Sequence, residues 1–267
     1  MSRKIPRLAY LFLMLAATIG LIGTTATTAS AATAFDPNTI TLAYLLNDAD
    51  NVDYLGGPKG HNAMLLVDRN GWGVYYSFAS WQNKFSGPGV MTKRNLSEVK
   101  VSKLLNYGLV DGYDRKYTRS LVQWVPNYNA GRAMYIKGED YKHGSPHYNA
   151  LLFNCTHLAN EILRAGGLVG HTSSIPNSAF NRLEEYLGSS RVKVTRSSLL
   201  YGDLNGDNKV SVTDLSKLKL HLVRTKLIDY SYWANGDLNG DGNISVTDLN
   251  LMKQFLVGII SKFPAAG

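Results

Sequence analysis

The stretch GDLNGDNKVSVTDL at 202–215 returns as GDLNGDGNISVTDL at 236–249, and the two copies differ only at 208–210 against 242–244. An internal repeat constrains the fold strongly, because both copies must build the same unit. Each copy places oxygen-bearing side chains at positions 1, 3, 5, 9 and 12 of a loop. They are Asp203, Asn205, Asp207, Ser211 and Asp214 in the first copy, and Asp237, Asn239, Asp241, Ser245 and Asp248 in the second. Calcium is a hard cation that takes six to eight oxygens, and this spacing wraps one loop around one ion. The position 7 main-chain carbonyls of Lys209 and Asn243 complete the two shells. Position 6 needs a left-handed backbone; Gly242 suits it directly, and Asn208 is the non-glycine type that tolerates it best.

Apolar residues then recur at helical spacing, Leu215, Leu218 and Leu222 after the first loop and Leu249, Met252 and Leu256 after the second. A unit of this size has little core, so two bound calcium ions are expected to supply much of its folding free energy. The duplicated loop followed by a single helix resembles a type I dockerin, a small all-α calcium-binding module at 201–263. The resemblance implies docking onto a cohesin module of a scaffoldin. It also implies that loop positions 10 and 11 choose the cohesin, here Val212 with Thr213 and Val246 with Thr247. Because the two pairs are identical, either helix could face the partner. The valine at position 10 and the short junction RSSLLYGDLNG, without a long linker, depart from the commonest family pattern.

At the other end, Arg3, Lys4 and Arg7 precede an apolar run from Leu8 to Ile22 and a small-residue stretch ending in ASA. Residues 1–31 read as a secretory signal peptide cleaved after Ala31, which implies an extracellular protein. No later segment is long and apolar enough for stable membrane insertion. Loss of the three basic residues lowers the formal charge from +8 to +5. No Lys/Arg run or interleaved aromatic platform argues for nucleic acid. The remaining length suits one domain at 32–200 followed by the small module.

Within 32–200 there is a single cysteine, Cys155. Exported chains use structural cysteines in pairs, so a lone thiol is a buried small hydrophobe, an intermolecular partner or a nucleophile. FNCTHLANEILRAGG reads as a helix with Asn154 as N-cap, Leu158, Ile162 and Ala165 on one face, and Gly166 with Gly167 as the stop. Cys155 is then the first helical residue, where the dipole and unpaired N–H groups favour a thiolate and could stabilise an oxyanion. HNAMLLVD and WGVYYSFA, joined through Asn70 and Gly71, read as a hairpin buried on both faces. Of the histidines, His157 is expected to be structural, and His143 and His147 are placed in a polar loop, YKHGSPHY. His61 opens a strand and is a candidate base, with a satisfied core histidine as the alternative.

The order of GHNAMLLVDRNGWGVYYSFAS and the later YNALLFNCTHLANEIL resembles the circularly permuted NlpC-type papain-like hydrolases, relatives of the lecithin retinol acyltransferase-like proteins. IPNSAF before NRLEEYL looks like the stretch that follows the cysteine helix. The resemblance implies an α+β papain-like fold, an antiparallel sheet with a cysteine-bearing helix. It further implies Cys155 as nucleophile, His61 as general base and Ser77 as the residue orienting the imidazole, with Tyr76 as competitor and Asn154 shaping the site. The function implied is a secreted, cellulosome-associated cysteine hydrolase needing no cofactor for its chemistry. An amide in a peptide or cell-wall substrate is the first expectation, with esters and acyl transfer open to the same groups. A non-catalytic binding or scaffolding domain is the alternative. A glycoside hydrolase is the other, for which no carboxylate pair stands out.

Overall fold

The structure is a computed structural model and describes residues 34–51, 60–80, 84–110, 113–144, 146–171, 173–196 and 198–267. The signal peptide expected at 1–31 lies outside the described residues. Among the described residues, nine strands run in chain order with the helices. They are β1 Ile40–Asp48, β2 His61–Asp68, β3 Gly73–Ser80, β4 Ser86–Leu96, β5 Leu109–Val110, β6 Tyr113–Lys116, β7 Arg119–Trp124, β8 His147–Asn149 and β9 Val192–Val194. Seven form one antiparallel sheet in the order β8-β4-β3-β2-β1-β7-β9, and β5 pairs with β6. The architecture is mixed α and β around this antiparallel sheet.

The β2–β3 hairpin forms where expected. The Asp68 carboxylate accepts the N–H groups of Asn70 (2.8 Å) and Trp72 (3.0 Å), and Gly71 takes φ 87° to close the turn. Strand alternation sends Met64, Leu66, Tyr76 and Phe78 to one face and Ala63, Leu65, Val67 and Tyr75 to the other, and all are buried. The first face packs under α2 Tyr128–Gly144, α3 Cys155–Ala165 and α4 Pro176–Leu187, with Met134, Leu158, Ile162 and Phe180 in the seam. The second lies under α1 Glu98–Tyr107 through Val101, Leu104 and Leu105. With helices on both faces, strands that read as continuous apolar runs are the physical outcome.

The C-terminal module is α5 Val212–Leu222, the short α6 Trp233–Gly236 and α7 Val246–Leu256. They close on Leu204, Leu218, Ile228, Leu238, Met252 and Phe263. Both helices start directly after their loops, as the repeat implies. The module packs on the outer side of α1. Tyr107 Oη donates to Asn235 Oδ1 (2.5 Å), Ser102 Oγ donates to the Tyr230 carbonyl (2.7 Å), and Ser97 Oγ donates to the Gly242 carbonyl. The Arg196 guanidinium lies 4.3 Å from the centre of the Tyr232 ring. The short junction seen in the sequence thus accompanies direct packing of the module on its neighbour.

One local reading changes. His143 belongs to α2, and His147 opens β8, where its Nε2 is 3.0 Å from Ser86 Oγ; neither lies in a loop. The stretch 84–130 contains β4, α1, β5, β6 and β7, and α2 begins at its end. After Ile175 as N-cap, PNSAF and NRLEEYL form one helix, α4, with Pro176 at its first position, where the missing N–H costs nothing. Helix α2 escapes an apolar-periodicity reading because its buried face is Gly131, Met134 and Gly138. A Cβ on Gly138 would stand 2.6 Å from the Tyr76 ring. That ring is fixed by its hydroxyl donating to Glu139 Oε1 (2.5 Å), while Glu139 also pairs with Lys93 (2.8 Å).

Gly138→Ala therefore reverses the usual helix preference. Propensity alone would favour alanine by about 1 kcal/mol. Overpacking against Tyr76 is expected to make the variant less stable by about 1–3 kcal/mol. Denaturant unfolding decides the sign, and a stabilised variant would contradict the packing described.

Candidate functional site

Asn154 sets the start of α3. Its Oδ1 accepts the N–H groups of Thr156 (2.9 Å) and His157 (3.4 Å), and its Nδ2 donates to the carbonyls of Ala150 (2.6 Å) and Ser174 (2.7 Å). His157 Nδ1 accepts the Asn154 N–H (3.3 Å), completing a capping box with histidine in the place usually held by Glu or Gln. Burial pushes the His157 pKa down, opposed by the nearby Glu161 carboxylate. His157 is structural, as its position two residues after the cysteine implies. The N–H groups of Thr156 and His157 are occupied by Asn154, so they do not serve a developing oxyanion as the helix start alone suggested.

Cys155 is the first residue of α3 and is 3% exposed. Its Sγ accepts the main-chain N–H of Asn62 at 3.5 Å and lies 4.0 Å from Thr156 Oγ1. The β2–β3 ladder begins at Ala63↔Ser77, so Asn62 stands just before that pairing starts, where its N–H meets the sulfur. The Asn62 side chain locks the same corner. Its Nδ2 donates to Thr156 Oγ1 (3.2 Å) and the Pro176 carbonyl (3.2 Å), and its Oδ1 accepts from Asn47 Nδ2 (2.9 Å).

His61 precedes Asn62 and is 4% exposed. Its Nε2 stands 2.8 Å from Ser77 Oγ, and its ring centre is 6.4 Å from that of Tyr117. Alternation places His61 and Ser77 on the α1 face with Ala63, Leu65 and Tyr75, while α3 covers the opposite face. The structure thus brings His61 and Ser77 together and sets Cys155 against the main chain of the same strand end, approaching from the other layer. Tyr76, the competitor for the orienting role, faces α2 and is bonded to Glu139, away from the imidazole. Asn62 is the residue that sequence reasoning missed. Its signal was a polar side chain inside the apolar run HNAMLLVD.

The paired loops are near-copies in space. Asp203 Oδ1 and Oδ2 accept the N–H groups of Gly206 (2.7 Å) and Asn208 (3.0 Å); Asp237 does the same for Gly240 (2.8 Å) and Gly242 (2.8 Å). Asn208 takes φ 63° and Gly242 φ 87°, so asparagine does fill the left-handed position. Asp214 Oδ1 accepts the Leu204 N–H (2.9 Å) and its Oδ2 the Ser211 N–H (2.9 Å); Asp248 repeats this with Leu238 and Ser245 (2.8 Å each). Position 12 therefore closes the loop and caps the helix at once.

Burial first, then the nearby Asp248 and Asp241 carboxylates, push the Asp237 carboxyl up to about 6, against the lowering effect of the Gly242 and Gly240 N–H groups. Among the described residues no three His, Cys, Asp or Glu side chains are gathered into one ready-made cluster. The donors are instead spread along each loop as carboxylates, an amide, a hydroxyl and a carbonyl, a hard-oxygen set that fits calcium. Val212, Thr213, Val246 and Thr247 are all exposed at the starts of α5 and α7. No helix among the described residues is long and apolar enough to cross a membrane.

Comparison with curated proteins gives no match. Among solved structures, the chain is similar to a component of a type I cohesin–dockerin complex from Clostridium thermocellum. The identity is 34%, covering 24% of this chain and 96% of that one, with a TM-score of 0.23. It is also similar to the type VI secretion system effector TseH, at 16% identity over 59% of this chain and 99% of that one, with a TM-score of 0.42. Residues 201–257 match the family model described as the dockerin type I domain. With its two loop-and-helix copies in place, this C-terminal segment is a type I dockerin domain, a calcium-binding module.

Proposed function

We propose that this protein is a secreted component of a cellulosome-type assembly, held through its dockerin to a cohesin module of a scaffoldin and carrying a cysteine hydrolase at 32–200. The family match at 201–257 together with two intact loop copies supports the docking half. Asp203, Asn205, Asp207, Lys209, Ser211 and Asp214 would hold one calcium ion, and Asp237, Asn239, Asp241, Asn243, Ser245 and Asp248 a second. Calcium, when bound, supplies the positive charge that draws each oxygen set together and so links ion concentration to stability. Val212 with Thr213, or Val246 with Thr247, would then meet the cohesin.

One observation carries the hydrolase half: the Cys155 sulfur abuts the Asn62 N–H, and the adjoining His61 has its Nε2 2.8 Å from Ser77 Oγ. In this reading the Asn62 N–H and the α3 dipole hold the sulfur as thiolate. The thiolate attacks a carbonyl carbon, His61 protonates the leaving group, and water then releases the acid from the acyl-enzyme. Ser77 orients the imidazole, as a hydroxyl can, with weaker support for its cation than a carboxylate would give. The substrate is an amide in a peptide or cell-wall chain, with esters and acyl transfer open to the same groups.

Burial of Cys155 favours the second reading, a non-catalytic binding domain with a packed thiol. At 3% exposure the sulfur meets a substrate only if the site opens.

Removal of calcium from the full-length protein is expected to abolish binding to a type I cohesin and to lower thermal stability. At a calcium level a hundred times the dissociation constant, each ion contributes about 2.7 kcal/mol. Cohesin binding that persists in chelator would contradict the docking account. Replacing Val212 and Thr213 alone should leave binding within a few fold, and replacing Val246 and Thr247 as well should remove it; loss with the first pair alone would rule out two equivalent faces. For the hydrolase, any turnover found on a panel of amides and esters should vanish in Cys155→Ala and fall by about 10²–10⁴ in His61→Ala. Turnover unchanged in Cys155→Ala would remove the mechanism.

A further inference from the structure

Beside α3, away from the face that carries Cys155, is a hollow of about 240 Å³ lined by Thr156, His157, Asn160, Arg164, His171 and Ser173. Among the described residues, the lining holds two imidazoles, a guanidinium, a primary amide and two hydroxyls, and no carboxylate. His171 is 6% exposed, and among the described residues neither Nδ1 nor Nε2 has a well-formed hydrogen bond, the Ser173 main chain acting only weakly on the ring. Its backbone is fixed instead, with its N–H donating to Asn160 Oδ1 at 3.0 Å. A buried ring with both nitrogens unmatched costs free energy unless something else meets it.

We propose that this hollow binds a small oxyanion, a phosphate or a carboxylate group, held between the imidazole of His171 and the guanidinium of Arg164. Both supply N–H donors, and the planar guanidinium fork matches two oxygens of such an anion. Arg164 is exposed and reaches the rim, so the ligand has an entry. A metal ion fits poorly here, since only two imidazoles are offered and Arg164 opposes a cation.

The charges around His171 agree with this geometry. Burial first, then the cationic forms of His157 and Arg164, push its pKa down to about 4, with the Ser173 main chain raising it least. Glu161 acts on His157, and no carboxylate is among the groups acting on His171. An anion seated here would offset the effect of the two cationic neighbours. The site is independent of the hydrolase reading, because neither Cys155 nor His61 lines it.

The test follows the His171 ring in the full-length protein by ¹H–¹⁵N spectroscopy, titrating pH in chloride, inorganic phosphate and acetate at equal ionic strength. Phosphate, acetate or both should raise the His171 midpoint by about one pH unit, equivalent to a tenfold preference for the charged ring. The anion that does so identifies the ligand class. Arg164→Gln should weaken the effect at least tenfold, and Arg164→Lys should restore part of it. A midpoint identical in all three salts would overturn the proposal, as would a shift that Arg164→Gln leaves intact.

Discussion

Asn62 is the joint on which the domain and its candidate site both depend. Its side chain accepts from Asn47 on β1 and donates to Thr156 on α3 and to the Pro176 carbonyl at the start of α4, while its N–H reaches the sulfur of Cys155. Asn62 is fully buried, and in such surroundings a satisfied polar network fixes one arrangement, since any slip leaves groups unpaired. The strand, the cysteine helix and the helix after it are thereby held at one point. The position of His61 follows from this, because it is the neighbour of Asn62 on the same strand and must face the opposite layer.

The C-terminal module repeats one device twice. Asp214 and Asp248 each cap a helix through the serine three residues before them and tie the loop's second residue through the other oxygen. Each aspartate thus ties its loop to the start of its helix. Helix α1 extends this order into the neighbouring domain, since one side packs on the sheet and the other meets Gly242, Tyr230 and Asn235. A loop residue of the second repeat is consequently in direct contact with a helix that covers the His61 face.

Much of this was legible in the sequence, for physical reasons. The paired loops announce themselves because cation coordination fixes both residue type and spacing, down to the left-handed Asn208. The start of α3 was readable because Asn154 is a strong cap and Gly166 a strong stop. The β2–β3 hairpin was readable from Asn70-Gly71 between apolar runs. Helix α2 was not, since Gly131 and Gly138 replace the apolar stripe with close backbone approach, and β8 is too short to carry a pattern. Asn62 escaped because its partners come from residues up to 114 positions away. The packing of α1 on the module was hidden for the same reason, as its serine and tyrosine hydroxyls look like ordinary solvent-facing groups until the fold is known.

The proposed hydrolase requires Cys155 and His61 to work as a coupled pair across the end of β2. The most direct measurement is the rate of Cys155 alkylation against pH in the wild-type protein and in His61→Ala. An ordinary thiol titrates near pH 8.5. Coupling predicts that the wild type keeps reacting well below that value and that removal of His61 moves the profile toward the ordinary thiol. Two superimposed profiles, both following an ordinary thiol, would contradict it.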